Sequence, residues 1–242
     1  MKHYIYFSFL WICISMNAQT NALTKIPETD SIFFPRLTGE TYIQNRGYEG
    51  EQYYNIDFAE SDILLTNGKM LYGEKLKYNG LIDEVIWLNT SNLKFFKLDK
   101  FSISDFWLKN IKGKTIHFKR INLTEPTLDN QSDIFVEVMV EGKVSLYIQR
   151  RIDTYDTRVV EKDSKFYNSR KIRPNPLYYI KLPSNRYLIL NRLSRNSFLK
   201  LFPEQKKPIL KILKANHLRC KSESELISII ELMNKERSLL FQ

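Results

Sequence analysis

The chain has 242 residues, 37 Lys and Arg against 27 Asp and Glu, 43% apolar residues and a mean hydropathy of -0.36. That balance excludes intrinsic disorder of the whole, and with 8 Gly, 8 Pro and 2 Cys it also excludes a collagen-like repeat, a long flexible linker and a disulfide-stapled scaffold. Aromatic residues reach 13%, which favours strands as the bulk of the fold.

Residues 1–19 have the three-part layout of a secretory signal peptide: Met1-Lys2-His3, an almost wholly apolar run from Tyr4 to Ile14, then Ser15-Met16-Asn17-Ala18-Gln19. The run is too short to span a bilayer, which needs about 20 residues. Cys13 follows Trp11-Ile12 inside the run, which does not suit a lipoprotein. The expectation is a signal peptide over 1–18, a mature chain starting at Gln19, and an exported protein, periplasmic or secreted, with no transmembrane helix. Processing leaves Cys220, His117 and His217. One thiol makes no internal disulfide, and a zinc site of the Cys/His kind needs three or four ligands. Each His reads as a hydrogen-bonded or surface imidazole, and Cys220, although between Arg219 and Lys221, as an inert thiol.

Residues 19–38 read as an extended lead-in, 39–192 as a β-rich domain, and 193–242 as a helical segment packed on the sheet. Short runs rich in Tyr, Ile, Phe and Leu predict strands at 42–43, 53–58, 63–65, 70–78, 85–88, 93–98, 101–108 and 115–121. Asn67-Gly68 and Asn79-Gly80 are strong signals for two-residue hairpin turns, whose central positions need positive φ. After a polar loop over 124–133, strands at 135–140 and 144–148 flank the Glu141-Gly142 turn, and two more are expected at 177–182 and 187–190. Residues 197–202 suggest a short helical turn stopped by Pro203, and Pro208 can open a second helix. Ser222 and Glu225 have capping-box spacing ahead of Leu226, Ile229, Ile230 and Met233, one buried helical face. The fold class is therefore mainly β: one antiparallel, sandwich-like sheet domain of about eight to eleven strands with a C-terminal helical segment.

Charge is regional. Residues 26–142 carry 13 Lys and Arg against 18 Asp and Glu, whereas residues 143–221 carry 20 against 5. The candidate contact residues are Arg150, Arg151, Arg170, Lys171, Arg173, Arg192 and Arg195, interleaved with Tyr155, Tyr178 and Tyr179. Composition alone would suit a nucleic-acid surface; export argues against nucleic acid and for an envelope protein, anionic glycans or lipid head groups as partners. A solvated face that meets the molecule's own acidic half is the plain alternative.

No Gly-rich phosphate loop, serine nucleophile elbow, paired zinc motif or EF-hand is present, so no cofactor and no metal are expected. Asp83-Glu84, or Glu49 with Glu51, would suffice for glycoside hydrolysis if the separation were right, although hairpin carboxylates are normally surface groups. The sequons at Asn89, Asn122 and Asn130 match by frequency in an Asn-rich chain.

The leader ending Asn17-Ala18-Gln19, the hairpin Leu76-Lys77-Tyr78-Asn79 with Asp83-Glu84, the segment Val138-Met139-Val140-Glu141-Gly142-Lys143 and the ending from Leu213-Lys214-Ala215-Asn216 to Glu225-Leu226 give a chain that resembles uncharacterised exported bacterial envelope proteins. The resemblance implies a compartment and an architecture, and no functional residue. The expected function is non-catalytic: an exported protein that binds another macromolecule through a basic face in 143–221. A salt-sensitive binder of anionic glycan or lipid head groups and a carboxylate-dependent glycan hydrolase are the alternatives.

Overall fold

The computed structural model describes residues 37–44, 47–123, 132–162 and 165–236. The expected leader, the lead-in up to residue 36 and most of the 124–133 loop, Asn130 included, lie outside the described residues.

The fold is mainly β, as the aromatic-rich runs predict. The strands are β1 (Gly39–Thr41), β2 (Tyr48–Glu49), β3 (Ala59–Leu65), β4 (Met70–Asn79), β5 (Glu84–Asn89), β6 (Lys94–Leu98), β7 (Ile103–Ile111), β8 (Lys114–Asn122), β9 (Asp133–Val140), β10 (Ser145–Gln149), β11 (Ile152–Lys162), β12 (Lys165–Pro174), β13 (Leu177–Lys181) and β14 (Tyr187–Leu190). Eleven form one antiparallel sheet in the order β1-β6-β5-β4-β3-β7-β8-β9-β10-β13-β14. A small second sheet, β11-β12-β2, is an antiparallel hairpin with a short parallel strand on its edge.

The large sheet curls. In a flat sheet, the four steps from β4 through β3, β7 and β8 to β9 would span roughly 19 Å at about 4.8 Å per strand. Yet the Phe135 amide at the start of β9 donates to both oxygens of Asp83, just beyond β4, at 3.3 Å. The Gly80 carbonyl likewise accepts from Ile152 N–H at 2.9 Å. The hollow of the curl is filled by rings: Phe106 and Phe118, cross-strand neighbours on β7 and β8, stack at 4.9 Å, Tyr78 lies 4.8 Å from Phe118, and Phe135 meets Phe106 edge-on at 5.3 Å.

Helices α1 (Arg195–Lys200), α2 (Lys206–Ala215) and α3 (Glu223–Lys235) build a second core on the far end of the sheet. Leu226, Ile229, Ile230 and Met233 of α3 are buried with Leu146 and Ile148 of β10 and Ile180 of β13. The opposite face of these strands holds Tyr147 and Tyr179, packed with Val136 of β9, so β10 is buried on both sides and all five of its residues are inside.

Several expectations change. The described residues hold fourteen strands, eleven of them in the large sheet, where eight to eleven are foreseen. Residues 53–58 make a single bridge, Tyr53 to Asn79, and no strand, because the Asn55 side chain occupies backbone groups that a ladder would use: its amide donates to the Asp57 and Leu76 carbonyls and its oxygen accepts from Tyr78 N–H. Asn67-Gly68 belongs to a three-residue loop, with Leu65 N–H bonded to the Lys69 carbonyl and Gly68 alone at positive φ. The chain after Asn79 turns at 80–83, where Asp83 takes φ 55°. Gly80 is required there for close approach, since a Cβ on it would lie 2.2 Å from the Arg150 carbonyl oxygen. The basic strands β11 and β12, where the sequence predicts none, form the longest hairpin among the described residues.

Candidate functional site

Ser194 caps α1 by accepting from Ser197 N–H, and this cap fixes the β14–α1 connection that carries Arg192 and Arg195. The α2–α3 connection carries Arg219 and Lys221 and is fixed more firmly. At the end of α2, Leu218 N–H reaches back to the Leu213 carbonyl (2.9 Å) and His217 N–H to that of Lys214 (3.2 Å), with His217 at φ 54° in the left-handed position usually held by Gly. Cys220 also takes φ 54°. At the start of α3, the Ser222 hydroxyl accepts from Glu225 N–H, as the capping spacing predicts. The Glu225 carboxylate does not return to Ser222: one of its oxygens accepts from Lys221 N–H (2.8 Å) and Arg219 N–H (3.2 Å), and these amides hold its pKa below the usual carboxylate range.

The two connections are pinned together by Cys220. Its thiol is fully buried and accepts from Ser194 N–H; burial first, then the Glu225 charge, push its pKa up to about 11, which makes it an inert packing group. Above the pin the connections enclose an open cleft of about 700 Å³ lined by Arg192, Leu193, Ser194, Arg195, Asn196, Arg219 and Lys221. The four cationic residues are exposed, none makes an ion pair among the described residues, and no acidic side chain lines the cleft.

The other candidate cations are placed elsewhere. Arg150 sits at the β10–β11 corner with its guanidinium inside. Its Nε donates to Glu137, which is 5% exposed, and its Nη1 donates to Glu223 in the first turn of α3 at 2.8 Å. Tyr54 and Tyr178 donate to the same two carboxylates, at 3.4 and 3.2 Å. Burial pulls the Arg150 pKa down, but Glu223 and Glu137 outweigh it and the net shift is upward; burial and the neighbouring carboxylates push both tyrosines up to about 12. Arg151 pairs with Asp153 at 2.8 Å. On β12, Arg170 donates to the Tyr48 hydroxyl and lies over its ring, Lys171 is 3.8 Å from Glu49, and Arg173 stands 5.0 Å over Tyr155.

The structure thus brings together Arg192 and Arg195 of the candidate set and adds Arg219 and Lys221, which sequence reasoning had passed over as mere neighbours of a thiol. Their signal was present in the helix punctuation: Asn216 ends one helix and Ser222 opens the next, so the residues between must share a tight turn.

Of the carboxylates considered for hydrolysis, Glu84 at the start of β5 is half-buried and burial raises its pKa, whereas Asp83, Glu49 and Glu51 are engaged. Asp83 is buried, not a surface group: it accepts from the Tyr78 hydroxyl at 2.6 Å and pairs with Lys100 at 2.8 Å, and burial outweighs these partners to raise its pKa. Glu49 meets Ser169 and Lys171, and Glu51 caps the Tyr53 amide. His117 is bonded to Asp105 at 2.8 Å and stacks on Trp107. Among the described residues no group of three His, Cys, Asp or Glu is placed to hold a metal ion, and no helix is long and apolar enough to cross a membrane. No protein-family model, curated protein or solved structure matches the chain.

Proposed function

We propose that this is an exported, non-catalytic binding protein of the bacterial envelope, and that it captures an anionic macromolecule through the cleft of Arg192, Arg195, Arg219 and Lys221. The observation that carries the reading is the convergence of four exposed, unpaired cations from two connections whose backbones are held by caps, left-handed residues and a buried thiol. Like charges gathered this way repel one another and strain the fold, and a bound anion relieves that repulsion. Left-handed, non-Gly residues clustered at one loop are the kind of strain that functional sites retain. Binding is favoured over hydrolysis because a pair of carboxylates is needed and one member of each candidate pair is taken: Asp83 by Tyr78 and Lys100, and Glu49 by Ser169 and Lys171. Leu193 is the one apolar side chain lining the cleft, which suits a hydrated anionic polymer better than a protein surface that docks through aromatic anchors.

The mature protein is expected to bind heparin and polygalacturonate columns and to elute as salt rises from about 0.05 to 0.5 M, because the screening length falls from roughly 14 to 4 Å over that range. Replacing the four cations by Ala should abolish retention, while Arg170→Ala with Arg173→Ala should leave most of it. Retention that survives the fourfold variant would overturn the cleft as the contact site. N-terminal sequencing of the native protein should read from Gln19; an intact Met1 in the cytoplasm would remove export from the reading.

A further inference from the structure

We infer that the anion held in the cleft is a phosphomonoester, carried by a sugar or a lipid head group; the inference rests on the anion-binding reading above and narrows its ligand. Three of the four cations are guanidinium groups. A guanidinium presents planar, paired donors that match two oxygens of a phosphate at once, whereas an ammonium acts as a point charge. Arg192, Arg195 and Arg219 therefore offer forked donors from two sides of one concavity, and Lys221 adds a fourth positive charge.

Charge arithmetic points the same way. With four positive groups and no lining carboxylate, a carboxylate or a sulfate ester would compensate one charge, and a phosphomonoester above its second pKa of about 6 compensates two. The nearest acid, Glu225, directs one carboxylate oxygen to the Arg219 and Lys221 amides, so it orders the backbone beneath the cations while lowering their net field.

Size and lining complete the argument. About 700 Å³ falls within the range of small-molecule sites, roughly 300–1,000 Å³, and exceeds what one phosphate fills. The remaining space is lined by Leu193, Ser194 and Asn196, of which the last two are polar groups suited to the hydroxyls of the moiety that bears the phosphate. The Ser194 hydroxyl is already engaged with Ser197, which leaves the Asn196 amide as the neutral group best placed to choose among such moieties.

The test compares glucose 6-phosphate with glucose 6-sulfate, two esters alike in shape, titrated calorimetrically into the mature protein at low salt at pH 7.5 and at pH 5.0. The phosphate ester should bind at least 10-fold more tightly than the sulfate at pH 7.5, and that ratio should fall to about 2-fold or less at pH 5.0, where the phosphate is mostly monoanionic. The sulfate ester is monoanionic at both pH values, so its own affinity reports any change in the protein's charge between them. Equal affinities at pH 7.5, or a ratio indifferent to pH, would overturn the phosphate inference and leave the anion-binding reading intact. Binding of neither ester, with heparin retention lost as well, would overturn both. Arg192→Lys with Arg219→Lys keeps the charge and removes the forks; it should erase the preference for phosphate while heparin is still retained, and a preserved preference would overturn the role of the forks. Vesicles containing phosphatidic acid identify the source: sedimentation of the protein with them, reversed by glucose 6-phosphate, supports a lipid-borne phosphate, and binding of the sugar ester without sedimentation supports a glycan-borne one.

Discussion

Arg150 and Arg192 belong to the same basic stretch of chain and have opposite fates. Arg150 stands at a strand corner facing the hollow of the molecule, where Glu137 of β9 and Glu223 of α3 close on its guanidinium and two tyrosines complete the carboxylates' hydrogen bonds. Arg192 stands exposed at a connection between the last strand and the first helix, where it lines a cleft with three other cations. The first is part of the joint between helix α3 and the sheet. The second is part of an exposed cationic surface. Linear charge density therefore does not identify a contact face. What separates the two is which carboxylates the topology brings within reach, and this is set by strand order and helix docking.

The sharpest way to break the comparison is to remove Arg150. Arg150→Ala leaves Glu137 buried and unpaired, and breaking a buried pair from one side costs about 3–5 kcal/mol; urea unfolding should show a loss of that size. Arg150→Glu should prevent folding, since three carboxylates would then meet. Arg170→Glu should leave the fold intact by contrast, because the Arg170 side chain is exposed and bonded only to Tyr48 among the described residues. A loss below 1 kcal/mol for Arg150→Ala would mean that solvent already screens the pair.

The other side of the joint is apolar. Ile229 and Ile230 are fully buried under the sheet, and either truncation to Ala should cost about 2–5 kcal/mol in the same measurement. Gly80→Ala attacks the corner from β4: the added methyl would meet the Arg150 carbonyl, and backbone displacement should cost roughly 1–3 kcal/mol. An unchanged midpoint for Gly80→Ala would show that the corner yields freely and that Arg150 is not held as tightly as its bonds imply.

The strands with clean aromatic runs were legible in the sequence, because a residue such as Phe118 or Ile148 has no stable place except a buried sheet face. The α3 stripe was legible for the same reason. The hairpin β11–β12 was not: Asp153, Arg158, Arg170 and Arg173 form no alternation with apolar residues, since beyond Ile152 and Ile172 the described side chains of the hairpin bury no face. The Asn55 turn escaped notice because Tyr53, Tyr54, Ile56 and Phe58 satisfy strand composition, and only the competition of the Asn side chain for backbone groups decides otherwise. Of the cleft, half was visible as isolated basic residues. Its other half depended on a non-local fact, that the α2–α3 turn folds onto the β14–α1 connection, and no periodicity encodes that contact.

The frame beneath the cleft can be relaxed without touching its charges. His217 occupies a left-handed position that Gly adopts at little cost, so His217→Gly should stabilise the protein by up to about 1 kcal/mol, the relief of backbone strain set against the extra entropy of Gly in the unfolded chain. Anion binding should survive this change. A destabilised variant would mean that the imidazole makes contacts that outweigh the strain.

The smallest effect is the most informative. If the cleft cations are surface groups held for binding, then Arg192→Ala, Arg195→Ala, Arg219→Ala and Lys221→Ala should each change stability by no more than about 0.5 kcal/mol, the range for surface substitutions away from buried partners. The sign should favour the variants: each removes a charge from a set of like charges, and at low ionic strength relief of that repulsion adds stability. Since the groups are exposed, the gain should fade as salt rises toward about 0.5 M, where screening acts within a few ångströms. Arg150→Ala should respond to salt far less, because burial keeps its carboxylate partners away from the screening ions. A melting-temperature series in salt on these variants therefore separates the two fates of one basic stretch without a ligand in hand: salt-sensitive gains at the cleft and a salt-insensitive loss at the corner. If a cleft variant instead loses more than about 1 kcal/mol, that cation supports the fold and the cleft has fewer free charges to offer an anion.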